Sequence, residues 1–206
     1  AVGDIEDTGT LPYLASREME AGFSTRVLDM QALDLQNGRF FDPAGELVNR
    51  CFKLYPWEWM VDESPDGCLA EMEWLEPIWK LVMSNKAILA TLYELFPDSP
   101  YVLPCYLSRP RSGLFCKKPV FSREGHNVSV VDIRDWEEYV RIAETEGDYN
   151  TGAYVYQEYV EPTAYSGRYP VIGSWIIGGE AAGIGIRENR MEVTDNLSEF
   201  VPHIIG

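Results

Sequence analysis

Residues 117–127 constrain the fold of this chain more than any other short stretch, because they predict two strands joined by a cationic loop that contains a glycine. The first strand ends at Lys118, and the next strand is predicted over Val128–Asp132. Loop N–H groups and cationic side chains can close over the oxygens of a triphosphate. Taken alone, the segment also fits an ordinary charged hairpin turn with Gly125 at a positive φ angle.

Composition bounds the class of protein. The 206 residues are 46% apolar and 13% aromatic, which is enough to bury a core as one large domain or two small lobes. A net charge of −16 argues against general nucleic-acid binding, which needs a basic face, although local cations can still hold a nucleotide. The chain has no signal peptide and no long apolar run, so we expect a cytoplasmic protein that does not contact a membrane.

The four cysteines, Cys51, Cys68, Cys105 and Cys116, are widely and irregularly spaced. Because no CxxC pair is present, the spacing disfavours zinc binding and thioredoxin-type redox chemistry. In a chain of this size it favours reduced thiols over a disulfide framework. We therefore expect the cysteines to pack in the core or at the surface rather than to carry the chemistry.

The front of the chain predicts a small α/β layer. Apolar residues have helical spacing over Leu11–Ala21, and strands are predicted over Arg26–Met30 and Glu46–Tyr55. A turn-rich loop over Gln31–Gly45 lies between the two strands. The aromatic run Leu54–Met60 is typical of core packing, because aromatic side chains dominate buried surface.

The segment Ser84-Asn85-Lys86 opens an amphipathic helix that stops at Pro97. We expect Ser84 to cap this helix. Lys86 then lies in the first turn, where the helix dipole disfavours a cation, and a lysine in that place is easier to explain when an anion shares the site. An ordinary exposed lysine is the alternative.

Beyond this helix the sequence predicts short strands and one more helix. Strands are expected near Tyr101–Leu107 and over Ala153–Val160, and the helix is expected over Ile133–Ala143. A second hairpin joins Val171–Ile177 to Ala181–Arg187 through a pair of glycines. Within its second strand, glycines alternate with isoleucines, which leaves one face bare and open to a flat ligand or another backbone.

The most specific information lies in short motifs that follow one another in a fixed order. They are Phe52-Lys-Leu-Tyr-Pro-Trp-Glu-Trp-Met60, Trp74-Leu-Glu-Pro77, Ser84-Asn-Lys-Ala-Ile-Leu89, Lys118-Pro-Val-Phe-Ser-Arg-Glu-Gly125 with Asn127, Tyr156-Gln157, Ile172-Gly-Ser-Trp175, Ala182-Gly-Ile-Gly-Ile-Arg-Glu188 and Phe200-Val-Pro-His203. Together they cover most of the chain and resemble the glutathionylspermidine synthase family, an ATP-grasp family of carboxylate–amine ligases. The best fit is the C-terminal portion of the short bacterial branch, because nothing here resembles a Cys/His amidase.

The resemblance implies an α/β (α+β) fold of ATP-grasp-like type. We expect a small front α/β layer followed by antiparallel-sheet ATP-binding lobes. The corresponding domains are an α/β pre-ATP-grasp-like segment over residues 1–83 and an ATP-grasp nucleotide-binding region over residues 84–206.

The resemblance also assigns roles to two lysines and to the loop within residues 117–127. Lys86 and Lys118 match the two lysines that bind ATP phosphates, and Glu124 and Gly125, with Arg123 beside them, match the loop that covers the triphosphate. Two lysines on different elements can converge on anionic oxygens as point charges. We therefore expect these five residues to lie around the phosphates.

The remaining assigned residues lie later in the chain. Gln157, Glu158, Tyr159 and Val160 match the strand edge that holds adenine, where backbone N–H and C=O groups can meet a purine. Arg187 matches an arginine near the reacting phosphate or the carboxylate substrate. We expect Arg187 and the arginine of the triphosphate loop to be the catalytic residues.

The family's magnesium ligands have no counterpart that we find in this sequence. The resemblance implies ATP with Mg²⁺ held by acidic residues in the first half of the synthetase. Asp62, Glu63, Asp66 and Glu71 lie in what reads as a solvated loop, so we predict no metal ligand among them. Because the chain begins with Ala1, we expect a trimmed chain or a piece of a longer protein, with the metal ligands upstream.

The reaction implied by the resemblance is ATP-dependent C–N ligation. ATP phosphorylates a small carboxylate, and an amine or polyamine then displaces phosphate, while the protein positions the reactants and stabilises charge. The acidic net charge is compatible with a cationic polyamine. Two alternatives remain: a non-catalytic interaction module that retains the ATP-grasp-like fold, and a plain structural α/β domain.

Overall fold

The computed structural model describes residues 5–135, 138–149, 152–193 and 198–204. The chain divides into two compact units, residues 1–82 and residues 83–206. Helices and several antiparallel sheets are both present, so the α/β (α+β) class predicted from the sequence is confirmed. None of the helices in the described ranges combines the length and the hydropathy that a bilayer crossing requires.

The described part of the first unit contains two small sheets and three α-helices. Strands β1, β2 and β3 form an antiparallel sheet, and β4 pairs with β5 in parallel. Its elements in chain order are α1 (Ile5–Glu20), a 3₁₀ helix (Met30–Ala32), β1 (Asp34–Gln36), β2 (Arg39–Phe41), β3 (Leu47–Val48), β4 (Arg50–Phe52), α2 (Trp57–Glu63), α3 (Pro65–Cys68), β5 (Glu73–Leu75) and a second 3₁₀ helix (Ile78–Lys80).

The aromatic run predicted as core packing is the core of this unit. Tyr55, Trp57 and Met60 are buried in one cluster with Phe40 and Trp74. The Trp57 and Trp74 rings meet edge to face with their centroids 5.2 Å apart, a geometry that the quadrupoles of aromatic rings favour. The core prediction for this segment is therefore confirmed.

Local predictions in the first unit are partly wrong. The helix predicted over Leu11–Ala21 is present but begins earlier, as α1. The strand predicted over Arg26–Met30 does not form, because Asp29 instead caps a 3₁₀ helix through a 3.0 Å bond from the Gln31 N–H to its carboxylate. The strand predicted over Glu46–Tyr55 is divided into β3 and β4, which pair in different sheets.

The predicted loop over Gln31–Gly45 contains a hairpin. Strands β1 and β2 are joined by Asn37 and Gly38, which have φ angles of 51° and 74°. Left-handed residues at both central positions are typical of the tight turns that match strand twist, and Asn-Gly is their commonest sequence. The Asn37-Gly38 turn was recognised in the sequence, but the two short strands that flank it were not predicted.

The second unit is built around a five-stranded antiparallel sheet. The strand order in this sheet is β6-β10-β7-β8-β9, and a separate three-stranded sheet has the order β11-β12-β13. The elements from the boundary between the units onward are α4 (Leu81–Ser84), α5 (Ala87–Leu95), β6 (Cys105–Tyr106), β7 (Gly113–Pro119), β8 (Ser129–Ile133), β9 (Tyr139–Glu144), β10 (Tyr154–Glu158), β11 (Tyr169–Ile177), β12 (Glu180–Asn189) and β13 (Glu199–Val201).

Apolar side chains pack on both sides of the five-stranded sheet. Ala90 of α5 packs with Cys105 and Val155 in one buried cluster. Val131 and Ile133 belong to a second cluster, and each is 1% exposed. Burial on both faces makes this sheet the structural centre of the second unit.

The helix predicted over Ile133–Ala143 is wrong. Ile133 ends β8, and the chain returns antiparallel to it as β9. Tyr, Val and Ile in β9 favour a strand, and their spacing over so short a run does not separate a helix from a strand. Trp136, which belonged to the apolar face of the predicted helix, lies outside the described residues.

The other strand predictions are confirmed with shifted ends. The strand near Tyr101–Leu107 shrinks to β6, that over Ala153–Val160 becomes β10, and that over Val128–Asp132 becomes β8. The hairpin predicted to turn at two glycines is present as β11 and β12.

We expect Ile133→Ala to lower the free energy of unfolding by about 2–5 kcal/mol, because it leaves a cavity in a fully buried cluster. The matched control is Ile142→Ala in β9, where the side chain is 60% exposed and the loss should be well below that range. Urea denaturation followed by circular dichroism measures both. Equal losses in the two variants would contradict the burial pattern described here.

Candidate functional site

The loop between β7 and β8 forms a tight turn at its tip. The His126 N–H donates to the Arg123 carbonyl at 2.9 Å, and the two residues between them, Glu124 and Gly125, have φ angles of 53° and 72°. Within the described residues no hydrogen bond uses the N–H of Glu124 or of Gly125. The tip therefore presents two backbone donors of the kind that bind anions.

Lys86, at the start of α5, contacts the first residues of this loop. It is the N-cap residue of α5, and its N–H donates to the Val120 carbonyl at 2.8 Å. Its Nζ donates to Ser122 twice, to the carbonyl at 2.5 Å and to Oγ at 2.9 Å. The positive end of α5 and the Lys86 ammonium thus lie beside the loop, and both favour a nearby anion.

The predicted cap of this helix is wrong, because the N-cap residue is Lys86 and not Ser84. Ser84 ends α4, and the Asn85 side chain instead accepts a hydrogen bond from the Ala87 N–H at 2.9 Å. An asparagine oxygen satisfies an otherwise unpaired helical N–H as well as a serine does. The start of α5, and with it the place of Lys86, is therefore set by Asn85.

Lys118 lies on β7 and is joined to the predicted adenine strand. In the register of β7 with β10, Lys118 stands opposite Val155, and its Nζ donates to Gln157 Oε1 at 2.7 Å. Its neighbour Lys117 points to the opposite face, where its Nζ lies 4.0 Å from the centre of the Tyr154 ring. Only Lys118 of this pair shares a face with Gln157.

Two thiols share the surroundings of Lys118. Burial raises the pKa of Cys116 and of Cys105, and the positive charge of Lys118 opposes that rise at both. All four cysteines of the chain are free thiols. With raised pKa values these two stay protonated near neutral pH, so they are poor nucleophiles.

The segment predicted to hold adenine leaves the sheet at its end. The Glu158 N–H donates to the Pro104 carbonyl at 2.8 Å, and the Tyr159 N–H donates to the Leu114 carbonyl at 3.0 Å. In the part of the chain that the structure describes, the Val160 N–H has no hydrogen-bond partner. Of the backbone donors from 158 to 160, the Val160 N–H is therefore the one available to a purine.

Tyr159 also connects this segment to the region after β12. Its hydroxyl donates to Glu192 Oε2 at 2.6 Å. Burial raises the pKa of Tyr159, and the hydrogen bond and negative charge of Glu192 raise it further. The phenol therefore stays protonated over the physiological range.

Arg187 lies in the other sheet. It is part of β12, opposite Phe200 of β13, and its guanidinium carbon is 5.9 Å from the centre of the Phe200 ring. Among the described residues, no contact joins Arg187 to either lysine or to the loop tip. The structure thus brings most of the predicted site residues to one sheet and places Arg187 apart from them.

Several residues that support the loop were not identified from the sequence. They are Ser122, Thr145, Gly147 and Tyr149, three of which follow β9 and contact the loop. Because β9 was predicted as part of a helix, nothing in the pattern placed its end beside residues 122–127. Asn127 was noted in the motif, but no role was assigned to it.

The four acids that we predicted to lie in a solvated loop are in fact mostly helical. Asp62 and Glu63 lie in α2 and Asp66 lies in α3, while Glu71 pairs with Arg39 at 2.8 Å. Within the described ranges, no three His, Cys, Asp or Glu side chains gather closely enough to hold a metal ion.

The fold is consistent with an ATP-grasp-like protein, since it mixes helices with several antiparallel sheets. All of residues 1–206 match the sequence pattern of a family described as glutathionylspermidine synthase preATP-grasp. The chain belongs to the glutathionylspermidine synthase family, which comprises acid–amine ligases.

Three relatives illustrate this membership. A Haemophilus influenzae protein provisionally named an acid–amine ligase is 35% identical over 207 residues, covering 96% of this chain and 53% of that protein. The bifunctional glutathionylspermidine synthetase/amidase of Escherichia coli K12 is 26% identical, covering 98% of this chain and 37% of that protein. The trypanothione synthetase of Crithidia fasciculata is 35% identical over 130 residues, covering 62% of this chain and 19% of that protein. The chain thus spans about half the length of the first relative and less of the others.

We expect the free energy of unfolding of Tyr159→Phe to fall less steeply at high pH than that of the parent protein. Because the folded protein holds the Tyr159 proton more tightly than the unfolded chain does, this contribution is complete below the ordinary tyrosine pKa of about 10 and is lost as the pH rises above it. Urea denaturation at a series of pH values from about 8 to 11 measures the slope.

The control for this measurement is Tyr101→Phe, since the Tyr101 ring is 94% exposed. The free energy of unfolding of this control should change with pH as that of the parent protein does. If Tyr159→Phe loses stability as steeply as the parent does above pH 10, Tyr159 does not hold its proton through burial and Glu192.

Proposed function

We propose that this chain is the nucleotide-binding portion of an ATP-dependent carboxylate–amine ligase, and that it holds ATP phosphates with Lys86, Lys118 and the loop tip. The observation that carries the proposal is the convergence of Lys86 and the loop. Lys86 contacts Val120 and Ser122, which lie two and four residues along the chain from Lys118. Two cations on different elements, a helix N-terminus and two backbone donors therefore lie in or beside the short segment of residues 118–125.

Such a site suits a triphosphate better than a single carboxylate. Several point charges and N–H donors can each take a different oxygen of an extended anion. The site lies in a chain of net charge −16, so attraction to an anion must come from these local groups rather than from the overall field. Adenine would lie beyond Gln157, against the edge formed by Glu158, Tyr159 and Val160.

The reaction that follows is amide formation in two steps. A carboxylate oxygen of the acid attacks the γ-phosphorus, which forms an acyl phosphate and releases ADP. The amine nitrogen then attacks the acyl carbon, loses a proton and expels inorganic phosphate. This chain's part is to hold the triphosphate in line and to offset its charge, which is the main source of catalysis in phosphoryl transfer.

We propose that Arg123 and Arg187 stabilise charge during the first step. Arg123 flanks the loop tip, and Arg187 projects from β12 in the second sheet, so the substrate would bridge the two sheets. Mg²⁺ accompanies ATP as its phosphate complex. The described residues offer it no cluster of three acidic, His or Cys groups, so we assign no step to the ion through them. The predicted cytoplasmic location fits a reaction that consumes ATP.

We expect Lys118→Met and Lys86→Met each to weaken binding of Mg-ATP by roughly 10- to 100-fold, the loss that a charge-assisted hydrogen bond implies. Isothermal titration calorimetry of the chain with Mg-ATP measures the affinity. The matched control is Lys117→Met, which removes the neighbouring charge from the opposite face of β7 and should leave the affinity within about threefold of the parent.

The outcomes separate the proposed function from its rivals. Equal losses in Lys117→Met and Lys118→Met would show a diffuse charge effect instead of a site. A parent chain that binds no Mg-ATP would overturn the proposal for this chain and favour the non-catalytic interaction module. Ligase activity needs a separate assay of ADP release with acid and amine candidates, of which a polyamine is the first to test.

A further inference from the structure

Thr145 ties the two ends of the loop tip together. Its Oγ1 accepts a hydrogen bond from the Val128 N–H at 2.9 Å, just where β8 is about to begin. The same hydroxyl donates to the Gly125 carbonyl, at the tip itself. One side chain after β9 therefore fixes the distance between the tip and the strand that follows it.

The Asn127 side chain, which belongs to the loop, makes a second connection to the segment after β9. Its Nδ2 donates to the Gly147 carbonyl at 2.9 Å, and its Oδ1 accepts from the Tyr149 N–H at 2.8 Å. Its own backbone is left-handed, with φ of 54°, a conformation that asparagine tolerates better than most residues. Both hydrogen-bonding ends of the amide are thus used to hold residues 147–149 against the loop.

The segment after β9 is packed closely against the loop at Gly147. A Cβ at this position would lie 2.4 Å from His126 Cβ and 2.8 Å from Asn127 Oδ1. A real Cβ atom essentially never lies so close to a non-bonded atom, so glycine is the residue that allows the two segments this contact. The His126 and Tyr149 rings add a further contact, with centroids 5.9 Å apart.

The backbone of the tip needs such support. Glu124 has φ of 53°, and a left-handed residue other than glycine costs roughly 1–2 kcal/mol. Conformations of this kind persist when surrounding contacts over-determine them. The Thr145 and Asn127 contacts supply that constraint, and they leave the Glu124 and Gly125 N–H groups to face a ligand.

We propose that Thr145 and Asn127 are positioning residues for polyphosphate binding, which set the conformation of the loop tip before the ligand arrives. This inference rests on the proposed function, because it concerns the same anion site. By this inference, the Thr145 and Asn127 side chains strengthen binding of the β- and γ-phosphates without contacting them. Preorganisation of donors lowers the ordering cost that binding would otherwise carry.

The test compares variants that remove the contacts with variants that keep them. Thr145→Val removes the hydroxyl at constant shape, and Thr145→Ser restores it. Asn127→Gly removes both amide bonds but still permits a positive φ angle. Thr91→Val on α5, where Thr91 is exposed, is the control for replacing threonine with valine.

Calorimetry with Mg-ATP and with AMP gives the first measurement. We expect Thr145→Val and Asn127→Gly to weaken Mg-ATP binding by roughly tenfold and AMP binding by less than about twofold, because AMP lacks the phosphates that meet the tip. Thr145→Ser and Thr91→Val should bind both like the parent. Equal losses for the two nucleotides, or failure of Thr145→Ser to restore affinity, would assign Thr145 a general structural role and overturn the inference.

Amide hydrogen exchange without nucleotide gives an independent measurement. If the contacts shape the tip, the His126 and Val128 N–H groups exchange faster in Thr145→Val than in the parent and at the parental rate in Thr145→Ser. Unchanged exchange in Thr145→Val overturns the inference even when Mg-ATP binds. A parent that binds no Mg-ATP overturns the proposed function instead, while the exchange rates still decide whether Thr145 and Asn127 hold the tip.

Discussion

The pairing of β7 with β10 is the constraint on which the candidate site depends. These strands are distant in sequence, and their register places Lys118 beside Gln157 while Val155 packs under α5 through Ala90. Because α5 is held there, Lys86 at its start meets the loop that leaves β7. A single strand pairing thus fixes the two lysines proposed to bind phosphate, the strand edge proposed for adenine and the helix N-terminus relative to one another.

The electrostatics of the site oppose those of the rest of the chain. A lysine at a helix N-terminus is unfavourable by itself, and here the Lys86 ammonium is held by two oxygens of Ser122. Phosphate oxygens are stronger acceptors than a carbonyl or a hydroxyl, so a polyphosphate would compete well for this ammonium.

Much of the fold could be predicted from the sequence, because several elements carry strong short-range sequence signals. The second hairpin, the aromatic core and the loop between β7 and β8 carried turn residues or apolar periods strong enough to locate them. Strand β9 could not be predicted, because Tyr139, Val140 and Ile142 fit either period over six residues. The error also hid Thr145, whose role depends on where β9 ends. Motif matching identified Arg187, yet motifs carry no distances, so its place in the other sheet emerged only from the structure.

The opposed directions of Lys117 and Lys118 make the register of β7 decide which lysine meets Gln157. A strand that slips by one residue exchanges the two faces, so Lys117 would replace Lys118 on the face of Val155 and Gln157. The same slip would take Phe115 off the cluster that it shares with Val131 and Ile133. The apolar residues of β7, and not its charges, therefore select the register that brings Lys118 to Gln157.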